Sequence, residues 1–117
     1  MVDTISTVRR ASKGNTEIVT LRGRLDAVSA SDLRGEFREF ISNGHTRLVL
    51  DFSGVTFVDS SGLAVIITLL KSATSNGGDV LLAKLPPPVS SILQLTRLDK
   101  VFRVFEDVDT ACEAFGG

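Results

Sequence analysis

Phe57-Val58-Asp59-Ser60-Ser61-Gly62-Leu63 joins an apolar, strand-like run to an apolar, helix-like one. Such a junction is a strand-to-helix turn. Asp and Ser accept hydrogen bonds from the free N–H groups that open a helix, so Asp59 or Ser60 is the expected N-cap. Helix starts also attract anions. A serine hydroxyl in this turn could therefore be a simple cap, a nucleophile or the acceptor of a phosphoryl group, and the residues around it have to decide.

Downstream, Leu63, Ile66, Ile67 and Leu70 recur at i, i+3, i+4 and i+7, while Ala64, Val65 and Leu69 make other sides apolar as well, which predicts a largely buried helix with the first four facing the sheet. Asn76-Gly77-Gly78 ends it, and Asp79-Val80-Leu81-Leu82-Ala83 is the next strand. Leu85-Pro86-Pro87-Pro88 turns the chain. Val89, Ile92 and Leu93 then resume helical spacing, which favours Pro88 near a helix start over a polyproline ligand. Val101 to Phe105 reads as a short strand, and Val108, Ala111, Cys112 and Phe115 as one face of a last helix.

Upstream, Arg47-Leu48-Val49-Leu50-Asp51-Phe52 suits an interior strand. It follows a helix expected from about Ser29 to Ser42, carried by Leu33, Phe37, Phe40 and Ile41 and opened by Ser29 and Asp32 in the manner of a capping box. Asn43-Gly44 stops that helix. Thr4 to Arg10 and Asn15 to Arg24 read as a hairpin around Ser12-Lys13-Gly14-Asn15, with Val19, Leu21 and Leu25 on its buried face and Thr20 and Arg22 on the other. Strands alternating with helices after that hairpin imply an α/β fold: a mostly parallel, mixed sheet of four to five strands with about four helices.

The 117 residues, 43% hydrophobic and 23% charged, fill one ordinary domain spanning residues 1–117. A net charge of -1 and a pI near 5.7 speak against direct nucleic-acid or anionic-membrane binding. Asp59, Ser60, Ser61 and Gly62 interrupt the apolar run Val55 to Leu70 short of a membrane span. Met1-Val2-Asp3-Thr4 does not begin a signal peptide, so the expected address is cytoplasmic. Cys112 is the single cysteine, placed in the core with no nearby cation in sequence to activate its thiol. His45 is the single histidine, read as a surface residue of a connecting loop without the partners that a metal ligand or a catalytic base needs. No Gly-x-Ser-x-Gly elbow surrounds Ser60, and no phosphate-cradling Gly-x-x-x-x-Gly-Lys-Ser/Thr loop is present, so neither an enzyme nor a cofactor is expected.

Leu50-Asp51-Phe52 leading to Val58-Asp59-Ser60-Ser61-Gly62-Leu63 resembles the signature of STAS-domain anti-sigma factor antagonists. The likeness continues in Leu21-Arg22-Gly23-Arg24-Leu25-Asp26, in Gly77-Gly78-Asp79-Val80-Leu81-Leu82 and in Leu93-Gln94-Leu95-Thr96-Arg97-Leu98-Asp99. It implies a single STAS domain in a bacterial cytoplasm. It implies phosphorylation of Ser60 by a partner that is both a serine protein kinase and an anti-sigma factor, with a serine phosphatase to reset it. Unphosphorylated, such a protein binds the anti-sigma factor and frees the sigma factor; phosphorylated, it lets go. The residues expected at the partner are Asp59, Ser60, Ser61, Gly62 and Leu63, with Asp26 from the upstream match. Arg24, where Glu is frequent, and Arg97, where Gly is frequent, depart from the commonest pattern and bear on which partner is bound. The alternative within the resemblance is a STAS scaffold subunit of a transport or sensory complex that is not phosphorylated.

Overall fold

The structure, a computed structural model, describes residues 6–13 and 16–115. In chain order it places β1 (Ser6–Lys13), β2 (Thr16–Leu25), α1 (Ala27–Ser42), β3 (Arg47–Val58), α2 (Ser60–Ser75), β4 (Asp79–Ala83), α3 (Pro87–Leu95), a 3-10 turn (Leu98–Lys100), β5 (Arg103–Phe105) and α4 (Val108–Ala114). The five strands lie in the order β1-β2-β3-β4-β5. β1 runs antiparallel to β2, and β2 to β5 are mutually parallel. The expected α/β fold, with its opening hairpin and four helices, is the one observed. Thr4, Ile5, Gly14 and Asn15, named above in the hairpin, lie outside the described residues.

Alternation along the parallel strands divides the interior in two. Leu48 and Leu50 of β3 and Val80 and Leu82 of β4 face one cluster, with Val19, Leu21 and Leu25 of β2, Leu33 and Phe37 of α1, Ile66 and Leu69 of α2, and Val89 and Leu93 of α3. Val49, Leu81 and Ala83 face the other, closed by Ala111 and Cys112 of α4. Cys112 is a core residue, as its helical face predicts.

Four boundaries or faces differ from the sequence reading, each for a local reason. α1 begins at Ala27 and is capped by Asp26. The Ser29/Asp32 capping box is not formed; Asp26 and Ser29 form one, a turn earlier. β3 continues beyond Phe52 to Val58, where Gly54, Val55, Phe57 and Val58 still pair with a β2 whose register shifts twice, the second time between Gly23 and Arg24. Gly23 has φ 87°, a left-handed value that glycine adopts without steric cost, so the chain can absorb that bulge. β5 is only Arg103–Phe105, because Val101 closes the preceding 3-10 turn. In α2 the buried residues are Gly62, Val65, Ile66, Leu69 and Ala73. Leu63, Ile67 and Leu70 are half-buried along the flank of the core, so the expected face is turned by about one residue. Pro87 and Pro88 occupy the first turn of α3, where a missing N–H costs no helical hydrogen bond.

Candidate functional site

The site arises from two strands ending side by side. Leu25 pairs with Val58 at the ends of β2 and β3, and the N–H of Asp59 donates to the Leu25 carbonyl at 3.1 Å. Each chain then enters a helix after a single residue. Asp26 and Asp59 thereby become the N-caps of neighbouring helices, both in extended backbone conformation. Extended geometry with a short side-chain acceptor is what an N-cap requires.

At α2, Asp59 Oδ1 accepts from the N–H of Ser61 at 2.9 Å and of Gly62 at 3.1 Å. At α1, Asp26 Oδ1 accepts from the N–H of Val28 at 3.1 Å and of Ser29 at 3.2 Å. Ser29 Oγ in turn accepts from the Asp26 N–H at 3.1 Å. The Ser29 N–H, and with smaller effect the Arg24 guanidinium and the Val28 N–H, holds the Asp26 carboxyl below its ordinary value against partial desolvation.

Of the residues singled out from the sequence, Ser60 is exposed at the first position of α2, and among the described residues its hydroxyl has no hydrogen-bond partner. Asp59 and Ser61 are half-buried. Gly62 is buried, and a Cβ there would overlap the carbonyl oxygen of Leu25. Its lack of a side chain is what lets α2 approach β2 so closely. Leu63 is half-buried against the main core. Asp26 stands on the same rim as Ser60, one strand away.

His45 is elsewhere. It precedes β3 whereas Ser60 follows it, so the length of the strand separates imidazole from hydroxyl. It lies in the connecting loop with its side chain 38% exposed, as expected, and its Nδ1 is 3.1 Å from Oε1 of Glu17, a buried carboxylate. Ser60 therefore has no histidine base within reach, and a nucleophile activated in that way is not built here. Among the described residues no group of His, Cys, Asp and Glu is arranged to hold a metal ion, and no helix is long and apolar enough to cross a membrane.

Three further residues line this rim, of which Arg24 and Phe57 were named from the sequence without being brought together and Val28 was not named. Arg24 Nε donates to Asp26 Oδ2 at 3.2 Å, and its guanidinium carbon lies 4.0 Å from the centre of the Phe57 ring. Val28 in the first turn of α1 is 66% exposed and Phe57 at the end of β3 is 37% exposed. The signal in sequence was slight: Arg24 and Asp26 stand two apart at a strand end, but the Arg24–Phe57 contact depends on the register of β2 with β3.

The sequence matches the STAS domain family over residues 8–111. The anti-sigma F factor antagonist of Paenibacillus polymyxa is 31% identical over 91 residues, covering 77% of this chain and 78% of the relative. The crystal structure of an anti-sigma factor antagonist from Mycobacterium paratuberculosis superposes with a TM-score of 0.85 at 26% identity, over 96% of this chain and 94% of that one. The anti-sigma factor antagonist SpoIIAA shares the fold both in its unphosphorylated form (TM-score 0.81, 21% identity, 93% of this chain and 96% of that one) and, from Bacillus, in its phosphorylated form (TM-score 0.72, 19% identity, 92% and 97%). With the family matched over most of the sequence and the sheet order, helices and capped motif in place, the chain belongs to the STAS domain family, among its anti-sigma factor antagonists.

Proposed function

We propose that this protein is a phosphorylation-controlled anti-sigma factor antagonist. Unphosphorylated, it binds an anti-sigma factor that is also a serine kinase and so frees the sigma factor; phosphate on Ser60 ends the complex, and a serine phosphatase restores it. The protein acts in the cytoplasm as a binding module and not as a catalyst. The observation that carries this reading is the placement of Ser60: exposed, unpartnered among the described residues and first in α2, on one rim with Asp26, Asp59 and the exposed Val28 and Phe57. A kinase can reach such a hydroxyl without unfolding anything. Phosphate adds about -1.5 to -2 charges and three acceptor oxygens, next to a carboxylate already present at Asp59. The amides opening α2 favour an anion at that end by roughly 0.3–1 kcal/mol, so the fold accommodates it while the partner surface meets a changed charge. A relative whose structure is known in both unphosphorylated and phosphorylated forms supports the same reading.

Incubation with the cognate kinase and ATP, followed by peptide mass spectrometry, places one phosphate on Ser60 and none on the Ser60→Ala protein. Phosphate on Ser61 in the wild type contradicts the assignment. Paired baits of wild type and Ser60→Asp in a native extract separate the scaffold alternative: a kinase-type anti-sigma factor retained by the first and lost by the second supports the switch, whereas equal retention of the same partners supports a scaffold.

A further inference from the structure

We propose that Arg24 is the intramolecular receptor for the phosphate on Ser60, its guanidinium leaving Asp26 Oδ2 for the phosphate oxygens once Ser60 is modified. The inference rests on Ser60 being the phosphoacceptor. Four observations carry it. Arg24 is bound through Nε alone, to Asp26 Oδ2 at 3.2 Å, and among the described residues neither of its Nη groups has a partner. Its guanidinium lies over the Phe57 ring at 4.0 Å, which holds the fork on the rim instead of letting it sweep through solvent. Arg24 is paired with Phe57 across the parallel ladder, and Ser60 follows Phe57 by three residues, at most about 11 Å of chain. With the roughly 4.8 Å between paired strands added, the Arg24 and Ser60 Cα atoms are at most about 16 Å apart, a separation that an arginine and a phosphoserine extended toward each other can bridge. Finally, the cap of α1 uses Asp26 Oδ1 for both Val28 and Ser29, whereas Arg24 uses Oδ2. The guanidinium can leave without uncapping the helix.

The exchange is favourable in direction. A phosphate carries about -1.5 to -2 charges against the single charge of a carboxylate, and it accepts bidentately from the arginine fork. Within the β2–α1 and β3–α2 junctions Arg24 is the only cation, set among the carboxylates of Asp26 and Asp59. The next cation is Arg22, two residues earlier in β2 and paired with Gly54 of β3, farther from the strand ends. Transfer of Arg24 would unstack Phe57 and leave Asp26 unpaired at Oδ2, so phosphorylation rewrites the rim at three side chains while the backbone stays in place.

The test uses full-length protein with phosphoserine encoded at position 60, so that no kinase is needed. The second ionisation of the phosphate, ordinarily near pH 6, is followed by phosphorus NMR in otherwise wild-type protein and in the Arg24→Gln and Arg24→Lys variants. Asp26 and Asp59 raise that ionisation and the amides of α2 lower it in every variant, so the differences isolate residue 24. The expected result is a value raised by about half a unit or more in Arg24→Gln, an intermediate value in Arg24→Lys, and a shifted Arg24 Nε–H resonance on phosphorylation with the Val28 and Ser29 amides unmoved. Equal ionisation in all three proteins, or an unmoved Nε–H resonance, overturns the role of Arg24. A kinase that leaves Ser60 unmodified counts against the proposed function and not against this contact.

Discussion

Asp26 and Asp59 occupy equivalent places, each the single residue between a parallel strand and a helix, and each satisfies two amide donors that the helix start leaves open. They differ in surroundings. Asp26 also meets Arg24, and its carboxyl is held below its ordinary value chiefly by the Ser29 N–H. A carboxyl whose folded-state pKa is depressed contributes stability that is present above its unfolded pKa, near 3.8, and is lost as pH falls through the lowered folded value. Asparagine caps a helix about as well as aspartate but does not titrate. Urea midpoints measured from pH 7 down to pH 2 are therefore expected to fall less steeply in acid for Asp26→Asn than for wild type, with the two differing at neutral pH only by the loss of the half-buried Arg24 ion pair. Parallel acid profiles would show that Asp26 is not the titrating cap described.

The helices show where pattern reading succeeds and where it loses direction. α2 was legible as a buried helix because apolar residues fill nearly every side of it from Leu63 to Leu70. That same abundance concealed which side faces inward. The answer comes from Gly62, whose absent side chain lets α2 touch Leu25 and so turns Val65, Ile66, Leu69 and Ala73 toward the sheet. Ile66→Ala is expected to cost about 2–5 kcal/mol in denaturant unfolding and Ile67→Ala clearly less, about 1 kcal/mol; the reverse ranking would mean the helix is rotated back to the face its i, i+3, i+4 spacing suggested. The start of α1 was missed because its capping box is Asp26 with Ser29, whereas the pattern sought places a hydroxyl residue first and an acidic one three later. β3 was cut short because Ser53-Gly54 breaks the apolar alternation, although pairing with β2 continues beyond it. Arg97, in a position where the related pattern commonly has glycine, does take a left-handed backbone with φ 63°. That conformation disfavours side chains with a Cβ, so here the departure in sequence carries a local cost without altering the turn.

Across the molecule, the site is a product of topology. The motif Asp59-Ser60-Ser61-Gly62-Leu63 was visible in the chain, and the upstream match added Asp26, but that Val28 and the Arg24–Phe57 pair share their rim follows from β2 and β3 being adjacent, parallel and in register at Leu25 and Val58. The sheet and its two cores lie behind this rim, and nothing in the account requires them to move. A switch of this kind works by difference: the complex formed by the unphosphorylated rim has to be more favourable than the one formed beside a phosphate by at least the free energy that separates bound from free at cellular concentrations, and each 1.4 kcal/mol is about tenfold in affinity. A dianion set against a packed or acidic partner surface supplies several kcal/mol. The most direct measurement is titration calorimetry of the cognate anti-sigma kinase with fully phosphorylated and unphosphorylated protein, paired with backbone NMR of the two free forms. The account predicts a dissociation constant weakened about a hundredfold or more by the phosphate, with chemical-shift changes confined to the Ser60 rim, namely residues 24–26 and 57–63. Equal affinity of the two forms, or shifts spreading through Val19–Leu21 and Leu48–Leu50, would contradict it.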